Sequence, residues 1–290
     1  MIIDGQAIAD TICERVKKAI ACSLHRPPGL AFILVGDNPA SRSYIHMKKK
    51  KCGEVGILSF DKEFSVNISQ ETLLEEIQAL NRNPQVDGIL VQLPLPAHLK
   101  TADIIAAVLP DKDVDGFHPI NIGKLLLGET DGFIPCTPYG IQVLLAQSHI
   151  PIQGKHVVII GRSNIVGKPL AALLMQKSAH GNATVTIAHS FSEHLREISL
   201  SADILIAAMG KAKFVTADMV KKGAVVIDVG INREIDETGK PKIVGDVDFA
   251  HVVSKCSFIT PVPKGVGPMT IAMLLSNTLL SYQRRLSRLI

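Results

Sequence analysis

Apolar residues along this chain fall into short unbroken runs, and the segments between them repeat at helical spacing. The runs at 30–35 (LAFILV), 86–93 (VDGILVQL), 156–160 (HVVII), 183–189 (ATVTIAH), 203–209 (DILIAAM) and 224–230 (AVVIDVG) are rich in β-branched residues. That pattern marks strands covered on both faces. A further strand is expected over 57–66. Ile8, Ile12, Val16 and Ile20 share one face of a first helix, with Asp4 as its N-cap. Pro39 sits in the first turn of a second helix, about 40–55, and Ser69 caps a third carrying Leu73, Leu74, Ile77 and Leu80. Thr137-Pro138 caps a helix reaching about 147. A last helix starts near Pro268, with Ile271, Leu274, Leu275, Thr278 and Leu279 on one face.

Strands and helices alternate, which predicts an α/β protein with parallel sheets and right-handed crossovers. Two α/β domains are expected, the second a Rossmann-like parallel sheet, with the C-terminal helix returning to the first. The expected domains are 1–139 plus 267–290, and 140–266 for the nucleotide.

Residues 154–174 (GKHVVIIGRSNIVGKPLAALL) read as a strand, a tight turn and a helix start. Such a turn presents unpaired backbone N–H groups at the positive end of a helix dipole, a site for a phosphate. Its spacing is G-x-S-x-x-x-G, from Gly161 through Ser163 to Gly167, and not the dinucleotide fingerprint G-x-G-x-x-G. Alone it fits an ordinary βα turn equally well; the βα units that follow favour a dinucleotide. The next strand ends in His189-Ser190, with no carboxylate before Glu193, and Arg162 stands in the turn. A cation without an opposing acid favours a 2′-phosphate, hence NADP. The plain alternative is a surface arginine and a helix-capping Ser190.

In the first half, counting from Tyr44 puts Ala40, Met47, Lys48, Lys51, Cys52 and Val55 on one side of the 40–55 helix. Lysines are rarely buried without a partner or a task. Periodicity narrows an inward lysine to Lys48 or Lys51 and does not choose between them. Gln92 lies at the carboxyl end of a strand, where open α/β sheets place functional side chains, or else it satisfies a loop. DKDVDG at 111–116 starts like a calcium loop, but the twelfth position is Ile122 and prolines stand at 110 and 119. Asp115, before a turn glycine, is the carboxylate expected to be held in place. No metal site is expected.

The length of 290 residues suffices for two domains, and 47% hydrophobic with 20% charged residues describes a globular chain. A net charge of +4 and 4% aromatic residues without Trp give no case for nucleic acid. Five scattered cysteines without C-x-x-C fit a reducing compartment. No signal-like or membrane-length apolar run is seen, so no membrane partner and a cytoplasmic setting are expected.

Several motifs then agree with one family: NPAS at 38–41 with Tyr44-x-x-x-Lys48, VQLPLP at 91–96, PDKDVDGFH at 110–118, PCTP at 135–138, GRS at 161–163 with VGKP at 166–169, VGIN at 229–232, and PVP at 261–263 with GVGPMT at 265–270. Together they resemble the bifunctional methylenetetrahydrofolate dehydrogenase/methenyltetrahydrofolate cyclohydrolase, in its order and over nearly the whole chain. The resemblance implies oxidation of 5,10-methylenetetrahydrofolate by NADP, hydrolysis to 10-formyltetrahydrofolate, a role in one-carbon metabolism and purine biosynthesis, and a homodimer. It implies Lys48 as the catalytic lysine, Tyr44 against the folate, Gln92 bonded to the lysine and Asp115 on the pterin, with Pro263 and Gly267 also on the substrate side. Gly161, Arg162, Ser163, Ser190 and Ile231 match its NADP contacts. Position 264 is Lys where the family motif has Gly. A lysine is awkward there if the backbone needs a positive φ, or it meets the glutamate tail of a polyglutamylated folate.

Two rivals stand beside this reading. Tyr-x-x-x-Lys also belongs to the short-chain dehydrogenases, but there the nucleotide turn precedes the pair, and here it follows. A non-catalytic NADP-binding protein would keep Arg162 and Ser190 but have no use for Lys48, Gln92 and Asp115 together.

Overall fold

The computed structural model describes residues 1–235 and 239–288, and the chain forms two units: Asp10–Cys136 with Ile271–Ile290, and Met1–Ala9 with Thr137–Thr270. α1 (Gly5–Ala21), part of the first unit from Asp10 on, starts where Asp4 accepts the Ala7 N–H at 3.0 Å. β1 (Gly29–Val35) is buried at every residue because it is the middle strand of a parallel sheet. It is followed by α2 (Pro39–Val55), with the Asn38 side chain as its cap, and β2 (Leu58–Phe64). Then come α3 (Gln70–Arg82), capped by Ser69, and β3 (Gly88–Val91). The strand order is β2-β1-β3. Leu73, Ile77 and Leu80 of α3 close one core with Ala31, Ile33, Val35, Ile89 and Val91. α4 (Thr101–Ala107) and α5 (Pro119–Leu127) flank the 111–116 loop.

The second unit holds α6 (Cys136–Gln147), from Thr137 on, then β4 (His156–Ile160), α7 (Gly167–Met175), β5 (Thr184–Ala188), α8 (Leu195–Leu200), β6 (Ile204–Ala207) and β7 (Val225–Asp228). An antiparallel hairpin of β8 (Asn232–Ile235) and β9 (Pro241–Val244), then α9 (Phe249–Val252) and β10 (Phe258–Ile259), precede α10 (Val266–Ser287). The five main strands are parallel in the order β10-β7-β6-β4-β5. β4 therefore has β5 on one side and β6 on the other. The chain reverses direction across the sheet there, the position where such sheets bind ligands.

From Ile271 on, α10 belongs to the first unit. Ser281 Oγ lies 2.6 and 2.7 Å from the Asp87 and Asp111 carbonyls, which share its one proton. Asp87, fully buried, accepts from Arg26 at 2.7 and 2.8 Å, from the Gly29 N–H at 2.8 Å and from Arg285 of α10 at 3.0 Å. The predicted return of the last helix is thus held by a carboxylate at the start of a strand.

Four local expectations are corrected. Met1–Ala9, assigned on sequence to the first domain, lies with the second unit. Ile2 bridges Ile259, and the Ile3 N–H bonds the Ile259 carbonyl at 2.9 Å, so the N-terminus extends the β10 edge. β5 is only half-buried, because it is itself an edge strand. Thr137 does not cap α6; the helix already begins at Cys136, and the Thr137 hydroxyl bonds Thr270 at 3.0 Å. The buried face of α2 is Ser41, Ile45, Lys48, Cys52 and Val55, while Met47 is exposed. That face is turned from the one counted from Tyr44, towards Ser41 and Ile45.

Lys264 adopts φ +78, the left-handed region that suits glycine. The Lys264 carbonyl accepts the Gln6 N–H at 3.1 Å, which ties the loop to the N-terminal segment. A side chain in this region costs about 1–2 kcal/mol, part of which glycine returns as unfolded-state entropy. Lys264→Gly is therefore expected to stabilise the protein by roughly 0.5–1 kcal/mol. Urea unfolding measures it, and a destabilised variant would show that the lysine side chain holds the loop.

Candidate active site

Lys48 is the first residue that the packing singles out. Four successive lysines must point in four directions around a helix. Lys49 reaches Asp61 at 2.6 Å, Lys50 is exposed, and Lys51 pairs with Glu54 at 2.9 Å. Lys48 alone turns inward and is 5% exposed. Its Nζ donates to Gln92 Oε1 at 3.2 Å and lies 5.2 Å from the centre of the Tyr44 ring. Periodicity left Lys48 and Lys51 open, and burial decides for Lys48.

Gln92 follows β3, and its N–H bonds the Ile33 carbonyl at 2.9 Å, continuing the ladder. Its Nε2 donates to the Leu93 carbonyl at 2.7 Å. The amide is thus oriented, with its oxygen towards the amine.

The three carboxylates of the 111–116 loop have three different fates. Asp111 pairs with Arg288 at the surface. Asp113 accepts from the Phe117 N–H, the His118 N–H and Asn121 Nδ2 at 3.2, 2.7 and 2.9 Å, so it builds the loop. Asp115 is left to face Lys48. Gly116 at φ +79 makes this possible: a Cβ there would sit 2.6 Å from Pro135 N. The close approach sets Asp115 near Cys136, whose thiol donates to the Val114 carbonyl at 3.4 Å.

The electrostatics follow from dryness. Burial lowers the Lys48 pKa below the ordinary lysine range, with Asp115 pulling the other way. Burial raises Asp115, opposed by Lys48. Burial also raises Tyr44, reinforced by Asp115, and holds the Cys136 thiol well above its ordinary value. Asp115 and Tyr44 keep partial solvent access, so the cluster has an open edge for a ligand. Its members are an amine, an amide, a phenol, a carboxylate and a thiol. Among the described residues no cluster could hold a metal ion.

Cys136 and Asn277 were not singled out on sequence. Asn277 of α10 donates to the Val114 and Ile134 carbonyls at 2.9 and 3.1 Å, with Cys136 Sγ at 3.8 Å. Its signal was a polar residue between apolar ones on a buried helix face. Cys136 stood inside the PCTP motif but carried no periodicity.

In the second unit, β4 ends at Gly161, φ +136, where a Cβ would meet the Ala208 carbonyl at 2.1 Å. A Cβ on Gly167 would lie 2.1 Å from the Gly161 carbonyl. The turn is closed against itself and leaves room for backbone only. Ser163 Oγ accepts the Val166 N–H at 3.1 Å and so closes the turn that precedes α7. Among the described residues, the N–H groups of Arg162, Ser163, Asn164 and Ile165 have no acceptor within the chain. This donor set fits a dinucleotide's phosphates. Arg162 and Ser190 are exposed at the ends of neighbouring strands, and Arg162 lies over Phe191 at 5.6 Å.

Ile231, half exposed, follows β7 at the same sheet edge. Its neighbours are pinned: the Gly230 N–H bonds Asp228 at 3.0 Å, and Asn232 bonds Asp246 at 2.8 Å. Asp246 also accepts the Met209 and Gly210 N–H groups, each at 2.8 Å, joining the loops after β6 and β7. Both carboxylates were missed on sequence. Pro263 lies exposed in the loop before α10, and Gly267 lies in its first turn.

Comparison with known proteins agrees with this layout. Residues 3–115 match the model of the tetrahydrofolate dehydrogenase/cyclohydrolase catalytic domain, and 135–286 match that family's NAD(P)-binding domain. The bifunctional protein FolD of Protochlamydia amoebophila is 56% identical over 286 residues, 98% of each chain. The crystal structure of the bifunctional FolD methylenetetrahydrofolate dehydrogenase/cyclohydrolase of Campylobacter jejuni superposes with a TM-score of 0.93 at 48% identity, over 98% of this chain and 99% of that one. The Trypanosoma brucei methylenetetrahydrofolate dehydrogenase-cyclohydrolase, complexed with NADP and an inhibitor, gives a TM-score of 0.92 at 36% identity, over 99% and 98%. An inward lysine held by a glutamine, a backbone cradle at a strand end, and these likenesses over nearly the full length agree: the chain belongs to the tetrahydrofolate dehydrogenase/cyclohydrolase family and carries both its catalytic and its NAD(P)-binding domain.

Proposed function

We propose that this chain oxidises 5,10-methylenetetrahydrofolate to the methenyl form with NADP and then hydrolyses that product to 10-formyltetrahydrofolate. The observation that carries the reading is Lys48: a dry amine oriented by one side-chain amide and titrating below the ordinary lysine range. Folate is assigned to the unit containing Lys48, NADP to the unit containing the 161–167 turn. In this reading Gly161, Arg162, Ser163, Ser190 and Ile231 contact NADP, and Pro263 and Gly267 contact the folate. The reading extends to a homodimer, polyglutamylated folates, a supply of formyl groups to purine biosynthesis and a cytoplasmic setting. Five free cysteines and the lack of any membrane-length apolar helix among the described residues fit that setting.

NADP, when bound, takes up the hydride that leaves a carbon already activated by two nitrogens. In that step the chain mainly positions the folate. The Tyr44 ring offers it a face, and Asp115 accepts from adjacent ring N–H and amino donors. In the hydrolysis, neutral Lys48 takes a proton from the water that adds to the methenyl carbon. The ammonium so formed returns a proton to the ring nitrogen as the carbon–nitrogen bond breaks. The Gln92 oxygen accepts from the amine in either state, so orientation survives the proton transfer.

Lys48→Arg keeps the charge and cannot release a proton near neutral pH. It is expected to lower hydrolysis by at least about 100-fold. Methenyltetrahydrofolate then accumulates while NADPH still forms, which separate absorbance traces follow. Lys51→Arg should change little. Because the base form is needed, wild-type hydrolysis should rise with pH through the lowered Lys48 pKa and then level, and the Arg variant should lose that limb. Hydrolysis intact in Lys48→Arg overturns the assignment.

Asp115→Asn replaces an acceptor-only group by one acceptor and one conflicting donor. Folate affinity should fall about tenfold or more in both reactions, the weight of a charged hydrogen bond, with NADP affinity unchanged. Equal folate affinity in a folded variant would return Asp115 to a loop-building role.

A further inference from the structure

We propose that Phe191 is a positioning residue for NADP selectivity: its ring holds the Arg162 guanidinium ready for the 2′-phosphate. The inference rests on the assignment of Arg162 to that phosphate. Phe191 is 81% exposed, an unfavourable position for a large apolar ring in water. It takes no part in the second unit's core, against which Leu195 and Ile198 of the following helix pack. What it does contact is specific. The Arg162 guanidinium carbon lies over its ring at 5.6 Å, within the range of a cation–π interaction. Its other neighbour is the His189 ring, edge-on at 6.4 Å.

The backbone at Phe191 is also fixed. The Phe191 N–H donates to His189 Nδ1 at 3.2 Å, the Ser192 N–H to the His189 carbonyl at 2.9 Å, and the His189 N–H to Ser192 Oγ at 2.9 Å. The ring thus stands on a tight turn at the end of β5, beside Ser190. Arg162 has no carboxylate partner among the described residues. That matters for the chemistry. A carboxylate would hold the guanidinium too, but would neutralise it and occupy the N–H edge that a phosphate needs. An aromatic face attracts the cation through its quadrupole and leaves that edge free. An arginine so ordered loses less freedom when the phosphate arrives.

The test is calorimetric binding of 2′,5′-ADP and of 5′-ADP, which lacks the 2′-phosphate, to the full-length protein. Arg162→Ala is measured first and should weaken 2′,5′-ADP selectively. Phe191→Leu keeps an apolar side chain without the quadrupole, and Phe191→Tyr keeps the quadrupole. Phe191→Leu should weaken 2′,5′-ADP by about two- to fivefold and leave 5′-ADP unchanged. Phe191→Tyr should restore the wild-type ratio, and Phe191→Leu should have no further effect when Arg162 is already Ala. The KM for NADP should move by the same factor as the binding.

If Arg162→Ala weakens both ligands equally, the phosphate assignment fails, and the inference with it. If Arg162→Ala is selective but Phe191→Leu changes nothing, Phe191 does not position the arginine while that assignment stands. Equal weakening of both ligands by Phe191→Leu would make the ring an adenine contact and likewise overturns the inference.

Discussion

Keeping a lysine amine dry is the constraint around which the first unit is arranged. Taking its charged form out of water costs several kcal/mol, which is why burial pulls its pKa down, and a partner is needed to hold the amine in place. A second buried lysine shows the alternative outcome. Lys112 donates to the Leu80 and Asn83 carbonyls at 3.0 and 2.9 Å, closing the end of α3, and burial lowers its pKa to about 8. Its hydrogen bonds are consumed by the fold. Lys48 instead has a single amide oxygen and a carboxylate nearby, so its remaining donor capacity stays available. Gln92, Gly116, Cys136 and Asn277 each serve that arrangement by fixing an amide, admitting a loop or tying two segments together.

The nucleotide-type unit solves a different problem, how to leave backbone donors unpaired without unfolding the turn. It does so by tight closure at Gly161 and Gly167, where no side chain fits. Around that edge two buried carboxylates do what a longer loop could not. Asp228 accepts the Gly230, Asp246 and Val247 N–H groups, while Asp246 gathers the loops after β6 and β7. Burial raises the Asp228 pKa to about 6, with the backbone donors and then Asp246 acting on it more weakly. Rigid loops are thus supplied by hydrogen bonds to carboxylates rather than by apolar packing.

Much of this was legible in the chain itself. Apolar runs placed the strands, and the caps Asp4 and Ser69 and the first-turn Pro39 placed helix starts to within a residue or two. These signals are local: a side chain's periodicity or its bond to the next turn needs no distant partner. The same locality explains the errors. The covered face of α2 was misjudged because it depends on which strands lie beneath, and Thr137 looked like a cap until its partner Thr270 was in view.

The sequence by itself determined the α/β class, the two sheets, the nucleotide turn and, through ordered motifs, the family. It could do so because strand burial, helix capping and glycine demand are written in short windows. Only the tertiary structure decided which of four lysines turns inward, which loop carboxylate builds and which faces the amine, and that Cys136 and Asn277 join them. It also set Phe191 under Arg162 and the N-terminus on the β10 edge. Those outcomes depend on residues as far apart in the chain as Val114 and Asn277 meeting at hydrogen-bond distance. No window of neighbouring residues contains that information, because the desolvation that makes a lysine functional comes from the whole core around it.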